Sequence, residues 1–149
     1  MKTLSLEIPK EAIDIYNDTK CIKQILPDHE YMLYWKADDG SFKKTSKYVP
    51  IKESIKKALD REINISKYLD GFTSPYINIP NWYKTDSGTP VITQKYLGGG
   101  DLLTYLLENP NKGLHIGIIF LKCIREIIPI LYDQKIYFGD FSLENFMVE

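Results

Sequence analysis

The sequence predicts an α+β fold in which an antiparallel sheet with one helix precedes a group of further helices. Three observations support this prediction. Strand-like runs separated by turn residues fill most of the chain before Gly98, one amphipathic helical pattern interrupts them, and helical patterns follow a run of three glycines. The 149 residues, of which 44% are hydrophobic and 26% charged, suffice for a packed core.

The overall charge and the scattered cysteines exclude several classes of function. With 19 Lys+Arg and 20 Asp+Glu, the net charge of -1 argues against a general binder of nucleic acid or of anionic membranes. The two cysteines and two histidines show neither zinc-ligand spacing nor a disulfide framework. The most apolar run, Ile116–Leu121, is too short for a membrane span, and Met1–Lys10 lacks the apolar region of a secretory signal. We therefore expect an intracellular, cytoplasmic chain.

The first half of the chain is dominated by strand signals. Residues 1–20 are of mixed composition and are interpreted as an N-terminal extension. Cys21–Leu26 is a candidate first strand, and Tyr31–Trp35 is an aromatic, strand-prone run. The turn Asp38-Asp39-Gly40 between strand-like runs is typical of a hairpin, whose second strand extends from Phe42 to about Val49.

One helix is predicted between an N-cap at Ser54 and a C-terminal glycine at Gly71. Five residues spaced by four, three, four and three positions share one face of it: Ile55, Leu59, Glu62, Ser66 and Leu69. Glu62 therefore lies on an otherwise mostly apolar stripe. Because a buried carboxylate without a partner is costly, we expect Glu62 to pair with a cation.

Two further strands, Trp82–Lys84 and Val91–Leu97, precede Gly98-Gly99-Gly100, which is interpreted as a flexible break. Asp101 then caps a short helix that ends near Leu107.

A long helical pattern follows, from about Leu114 to Asp133, with an apolar face. Pro129 inside this helix removes one backbone hydrogen bond and should kink it.

The most specific motif lies near the end of the sequence. Asp140 is followed five positions later by Asn145, and apolar residues flank the pair. This Gly-Asp-Phe-Ser-Leu-Glu-Asn run resembles the protein-kinase catalytic loop H-R-D-L-x-x-x-N. The resemblance implies that Asp140 accepts the proton of the attacking hydroxyl, and that Asn145 helps to hold Mg²⁺ on the phosphates of ATP.

A second resemblance begins at Gln94, where Gln-Lys-Tyr-Leu-Gly-Gly-Gly-Asp-Leu is similar to the kinase hinge pattern E-Y-x-x-G-G-D/E-L. It implies that Gln94 is the gatekeeper. It also implies that backbone groups of Lys95, Tyr96 and Leu97 meet the adenine edge of ATP. Asp101 would face the ribose hydroxyls, and a role limited to capping its helix is an open alternative.

A third resemblance concerns the cation that Glu62 requires. Kinases pair a lysine on the third strand with a glutamate on the following helix, and this lysine holds the α- and β-phosphates. Lys47 is the preferred candidate, because fifteen residues accommodate a strand, a loop and half a helix. Lys44 and Lys52 remain open, as does a half-exposed Glu62 without a special partner. The Ser46-Lys47-Tyr48-Val49-Pro50 run also resembles the FIKK kinases of apicomplexan parasites.

Together these motifs resemble the eukaryotic protein-kinase family from about Cys21 onward. The resemblance implies a protein-kinase-like fold, with an N-lobe over residues 21–97 that contains an antiparallel sheet and one αC-type helix. Residues 98–149 correspond to the hinge and the first helices of the C-lobe, ending at the catalytic loop. It also implies a Ser/Thr-type kinase that uses ATP and Mg²⁺ and acts on a protein substrate or a partner kinase. The exposed side of the long C-lobe helix is a candidate surface for association.

Several departures from the family pattern favour an inactive chain. No G-x-G-x-x-G occurs where the first hairpin should cradle phosphates, and Phe138 and Gly139 replace the family's His and Arg. The sequence reaches Glu149 before any D-F-G motif, so we expect no activity from this chain alone. Two alternatives remain open: a truncated pseudokinase that regulates a partner, and a small-molecule phosphotransferase of kinase-like fold. Gly139-Asp140 fits the H-G-D-x-x-x-x-N motif of the latter.

Overall fold

The computed structural model describes residues 21–26, 28–86, 88–137 and 142–149. The predicted N-terminal extension lies outside the described residues. The chain divides into two compact units: the first contains the residues up to Lys67 together with Ile79–Tyr96, and the second contains Tyr68–Asn78 and Leu97–Glu149. Residues 68–78 thus group with the second unit, although they lie within the predicted N-lobe of residues 21–97.

The first unit is built on an antiparallel sheet and one long helix, so the α+β prediction is confirmed. Over the described residues the sheet has five strands, in the order β1-β2-β3-β5-β4. The strands are β1 (Cys21–Ile25), β2 (Met32–Ala37), β3 (Ser41–Ser46), β4 (Asn81–Lys84) and β5 (Pro90–Lys95). Helix α1 (Glu53–Tyr68) lies between β3 and β4 in the chain.

The predicted hairpin between β2 and β3 is confirmed. Gly40 has φ +80°, which a glycine adopts without strain, and the Asp39 carboxylate accepts hydrogen bonds from the Ser41 backbone N–H (2.8 Å) and hydroxyl (2.6 Å). β3 ends at Ser46, earlier than the predicted Val49. The Ser46 hydroxyl both donates to the Tyr48 carbonyl (2.9 Å) and accepts from the Tyr48 N–H (3.2 Å), which turns the chain out of the ladder.

Alternating residues of β2 supply two separate cores on the two faces of the sheet. One core contains Leu33, Trp35, Ala37 and Val91, with the Tyr83 ring packed against it. The other contains Met32, Leu59, Ile63 and Ile92, with Tyr34 and Ile55 at its margin. Because Leu59 and Ile63 belong to α1, the second face is the one that the helix covers. The predicted stripe of α1 is confirmed in part: Leu59 and Ser66 are buried, and Ile63, which was not in the stripe, is buried with them. The helix begins at Glu53, so that Ser54 lies inside it and is not the predicted N-cap, and it ends at Tyr68, before Gly71.

The second unit contains two α-helices among its described residues, α2 (Leu102–Glu108) and α3 (Gly113–Asp133). Asp101 caps α2, because its Oδ1 accepts from the Thr104 N–H at 2.9 Å. Helix α3 continues through Pro129 to Asp133. In the described part of the chain no helix is both long and apolar enough to cross a membrane.

A short antiparallel β-bridge between Asp101 and Met147 ties the end of the glycine run to the segment after the predicted catalytic loop. The Gly99 N–H donates to the Val148 carbonyl (3.0 Å), and the Val148 N–H donates to the Gly100 carbonyl (2.8 Å). The Leu102 N–H donates to the Phe146 carbonyl at 2.7 Å. A Cβ at Gly99 would lie 2.6 Å from the Val148 carbonyl oxygen, so the close backbone approach requires glycine here. The glycine run, which is predicted to be a flexible break, is thus hydrogen-bonded to a second segment at this residue.

Candidate functional site

The candidate site of the first unit is centred on an ion pair between β3 and α1. Lys44 Nζ lies 2.6 Å from Glu62 Oε1. Lys44 is in the middle of β3, where its Cα partners are Tyr34 on β2 and Ile92 on β5. The Lys44 side chain is 17% exposed and that of Glu62 is 40% exposed. The helix-borne carboxylate therefore holds a largely buried ammonium group on the covered face of the sheet.

The preferred pairing of Glu62 with Lys47 is wrong, and Lys44, one of the two alternatives, is the partner. Lys47 follows the end of β3, and its Nζ donates to the His29 carbonyl at 3.1 Å. The ammonium of Lys52 lies 3.9 Å from the centre of the Tyr31 ring. The physical reason is strand alternation. A side chain reaches α1 only from the face that also carries Ile92, and Lys44 is opposite Ile92.

The neighbouring Lys43 shows the same alternation from the other side. Its ammonium lies 4.9 Å from the centre of the Tyr83 ring, which packs on the opposite core, and 3.6 Å from the Asp39 carboxylate. The side chains of the two adjacent lysines in β3 thus lie on opposite faces of the sheet, and of the two only Lys44 can reach Glu62.

Aromatic rings adjoin the ion pair. Tyr34 is the cross-strand partner of Lys44, and its ring is nearly parallel to that of Phe42, with 6.1 Å between the centroids and 15° between the planes. Burial and, to a lesser degree, the negative charge of Glu62 raise the pKa of the Tyr34 phenol above its ordinary value of 10.0. The site therefore offers a cation for an anionic group beside a half-buried aromatic surface.

The loop between β1 and β2, where a glycine-rich loop was absent from the sequence, is held by a histidine. His29 Nδ1 accepts hydrogen bonds from the backbone N–H groups of Met32 (3.0 Å) and Tyr31 (3.3 Å). The His29 ring meets that of Tyr34 edge to face at 5.3 Å. Leu26 has φ +47° and its carbonyl accepts from the His29 N–H at 3.1 Å. The His29 imidazole and the Leu26 carbonyl thus hold this part of the loop, and Leu26 adopts a left-handed conformation without being glycine.

Asn145, the predicted metal ligand, lies in the second unit. It closes a 3₁₀ turn over Leu143–Asn145, in which its N–H donates to the Ser142 carbonyl (3.0 Å) and its Nδ2 donates to the Ser142 hydroxyl (3.2 Å). The next residue, Phe146, packs edge to face on Phe120 of α3 at 4.7 Å, which fixes the turn against the helix. The amide oxygen of Asn145 is chemically suited to Mg²⁺.

The predicted base, Asp140, falls within residues 138–141, outside the part that the structure describes. Among the described residues, no group of three or more His, Cys, Asp or Glu side chains could hold a metal ion. The pairing of Asp140 with Asn145 therefore remains a prediction from the sequence.

The predicted hinge residues divide between the two units. Gln94 and Lys95 end β5, as Cα partners of Phe42 and Ser41, and the Lys36 ammonium lies 4.8 Å from the centre of the Tyr96 ring. Leu97 belongs to the second unit. Their contacts to adenine stay predictions.

Asp101, for which two roles were open, is observed as the cap of α2. Its Oδ2 also accepts from the Thr104 hydroxyl at 2.8 Å, and the hydrogen bonds from Thr104 lower the pKa of the Asp101 carboxyl from its ordinary value. The structural role is thus accounted for, and contact with ribose stays a prediction.

Comparisons with known proteins leave the family open. No family model matches the sequence, and no curated protein is significantly similar to it.

Proposed function

We propose that this chain is protein-kinase-like, of the Ser/Thr type, and that the chemistry of the complete domain is transfer of a phosphoryl group from ATP to protein hydroxyls. The observation that carries the proposal is the ion pair of Lys44 with Glu62, at 2.6 Å. A phosphate-binding lysine must stay charged and in position. A glutamate on the helix that covers the sheet stabilises the charged ammonium group and holds it in place. Lys44, in place of Lys47, is then the residue that binds the α- and β-phosphates.

The remaining roles follow from the kinase resemblance. Glu62 positions the Lys44 ammonium, and the Asn145 amide oxygen ligates Mg²⁺. Asp140 accepts the proton of the substrate hydroxyl. ATP would supply the phosphoryl group, and Mg²⁺ held by Asn145 would neutralise charge on the phosphates. The largely buried ammonium fits this assignment, because a partly desolvated cation interacts more strongly with a polyphosphate than one in bulk water.

Nucleotide binding tests the proposal. A ligand at about 100 times its Kd stabilises the folded state by about 2.7 kcal/mol, so thermal unfolding should shift to higher temperature as ATP with Mg²⁺ is added. Lys44→Met should weaken binding at least about tenfold, which is about 1.4 kcal/mol. Lys47→Met is the matched control and should bind as the unaltered chain does. Equal losses in the two variants, or a flat response of the unaltered chain, would refute the assignment.

A regulatory binding module is the second candidate, and the loop between β1 and β2 favours it. His29 Nδ1 occupies two backbone N–H groups of this loop, at 3.0 and 3.3 Å, and such groups are what a phosphate-binding loop must offer. This candidate predicts that the chain forms a complex with a protein partner and transfers no phosphate from ATP to any protein acceptor. Transfer that is measurable with the unaltered chain and abolished in Asp140→Asn would exclude it in favour of the kinase. Transfer to a small molecule alone would favour the third alternative, a phosphotransferase.

A further inference from the structure

Helix α3 is apolar on two faces. On its inner face Phe120 meets Phe146 at 4.7 Å, and Ile127 and Leu131 are buried. Its outer face leaves five large apolar side chains between 39% and 82% exposed: Leu114, Ile118, Leu121, Ile128 and Tyr132. A helix that is apolar on both faces is ordinarily covered on both.

The exposed residues form a narrow seam with heptad spacing. Together with the exposed Arg125 they are spaced by four, three, four, three and four positions, the repeat with which one helix packs along another in a coiled coil. We call these six positions of α3, from Leu114 to Tyr132, the α3 seam. Its length is about 27 Å, from the rise of about 1.5 Å per residue.

The α3 seam is self-complementary when reversed. Positions equally distant from residue 123 pair as Leu114 with Tyr132, Ile118 with Ile128, and Leu121 with Arg125. An antiparallel helix about a twofold axis at this point brings each pair face to face. Such an arrangement is what an isologous interface between two identical chains requires.

The position of Arg125 selects the antiparallel orientation. In a parallel pair the two Arg125 side chains would face each other at one core layer, and like charges there repel. In the antiparallel pair the aliphatic stem of Arg125 covers Leu121 of the second copy, while the guanidinium group stays in water. The exposed apolar area of the seam is on the order of several hundred Å² per copy, which is below the ~800 Å² per partner of a standard interface, so we expect a weak dimer.

We propose that the α3 seam binds a second copy of this chain in an antiparallel, twofold arrangement. The proposal does not depend on the kinase assignment, because it uses no residue of the phosphate-binding pair. It commits to a homodimer, and a different protein partner or a monomer is an outcome that would overturn it.

The first experiment measures the mass of the full chain in solution over about a hundredfold range of concentration. The mass should rise towards that of a dimer, and Leu121→Glu should raise the dimer Kd at least about tenfold. Leu107→Glu is the matched control, since Leu107 is 74% exposed on α2, outside the seam, and the same change there should leave the dimer intact. A monomeric mass throughout the range, or equal effects of the two changes, would overturn the proposal.

The second experiment tests the register with disulfide cross-links. In a background with both natural cysteines replaced by serine, Ile118→Cys chains mixed with Ile128→Cys chains should form a cross-linked dimer on oxidation. Neither variant alone should cross-link, because residue 118 faces residue 128 of the other copy. Self-linking of each single variant without linking in the mixture would indicate a parallel pair and overturn the antiparallel arrangement. Circular dichroism of each variant confirms that α3 is intact.

Discussion

The two units differ in charge and in how completely they bury their apolar residues. Over residues 21–67 and 79–96 the sequence has 12 Lys+Arg and 8 Asp+Glu, whereas over 68–78 and 97–149 it has 4 and 8. The sheet of the first unit has a core on each face, while α3 of the second unit exposes one whole apolar face. A net charge near zero therefore conceals a basic unit and an acidic one. The comparison also shows that burial of a helix cannot be inferred from its apolar content.

The largest expected effect tests the difference in burial directly. Leu59 of α1 is 2% exposed and Leu114 of α3 is 82% exposed, so the same substitution probes both units. Leu59→Ala should lower the free energy of unfolding by about 2–5 kcal/mol, because it leaves a cavity between α1 and the sheet. Leu114→Ala should change it by less than about 0.5 kcal/mol.

Denaturant unfolding at low protein concentration, where a dimer would be dissociated, measures both changes. A cost for Leu114→Ala as large as that for Leu59→Ala would mean that the outer face of α3 is buried within the monomer, and the contrast between the units would fail.

A smaller effect is expected in the β-bridge of the second unit. Gly99→Ala should destabilise by about 1–3 kcal/mol, because its Cβ would lie 2.6 Å from the Val148 carbonyl oxygen and force the backbones apart. Gly113→Ala is the control: a Cβ there meets nothing within 4 Å, and alanine is the better helix former. Thermal unfolding should show a lower Tm for the first variant and an equal or higher Tm for the second. Equal Tm values in both would contradict the close approach at Gly99.

The smallest effect concerns Tyr34 beside the ion pair of the first unit. Because the pKa of Tyr34 is raised in the folded state, the unfolded chain ionises this phenol first as the pH rises above about 10. Stability is therefore fully present below that pH and falls as the pH rises towards the pKa of the folded state. Tyr34→Phe should remove this part of the alkaline loss, seen as a shallower decline of the free energy of unfolding above pH 10.

Glu62→Gln tests whether the charge of Glu62 contributes to the raised pKa of Tyr34. It removes the nearby negative charge but keeps the burial, so the Tyr34 pKa should fall while remaining above its ordinary value of 10.0. An unchanged alkaline titration in Glu62→Gln would show that burial alone sets the pKa.

Local rules predicted much of the first unit. The Asp-Gly turn gave its hairpin, and the four-three spacing identified both the covered face of α1 and the need of Glu62 for a cation. The identity of that cation was not predicted, because the number of residues between a lysine and Glu62 does not show on which face of β3 the lysine lies. The pairing register of β3 with its neighbours shows it. Pairing about the Asp39-Gly40 turn places Lys44 opposite Tyr34, on the face of Ile92, and this signal was present in the sequence.

The second unit was harder to predict because its key contacts join distant segments. The Asp101 cap is local and was foreseen as one of two roles. The hydrogen bond between Gly99 and Val148 joins two backbone segments that lie 49 positions apart in the sequence, and no periodicity or spacing predicts it. The exposure of the α3 seam likewise depends on which other segments pack on the helix, and the sequence of the helix alone does not show this. Asp140 lies outside the described residues, so the chemistry of the predicted catalytic loop still rests on its motif.

The β-bridge between Asp101 and Met147 also sets an order of events during synthesis on the ribosome. Every strand of the first unit's sheet is complete once Lys95 has left the exit tunnel, so this unit can fold while translation continues. Helices α2 and α3 must wait for Phe146 and Val148, which cover the start of α2 and pair with the glycine run. The inner face of α3, where Phe120 packs on Phe146, thus stays uncovered until roughly a dozen residues beyond the end of α3 have been synthesised.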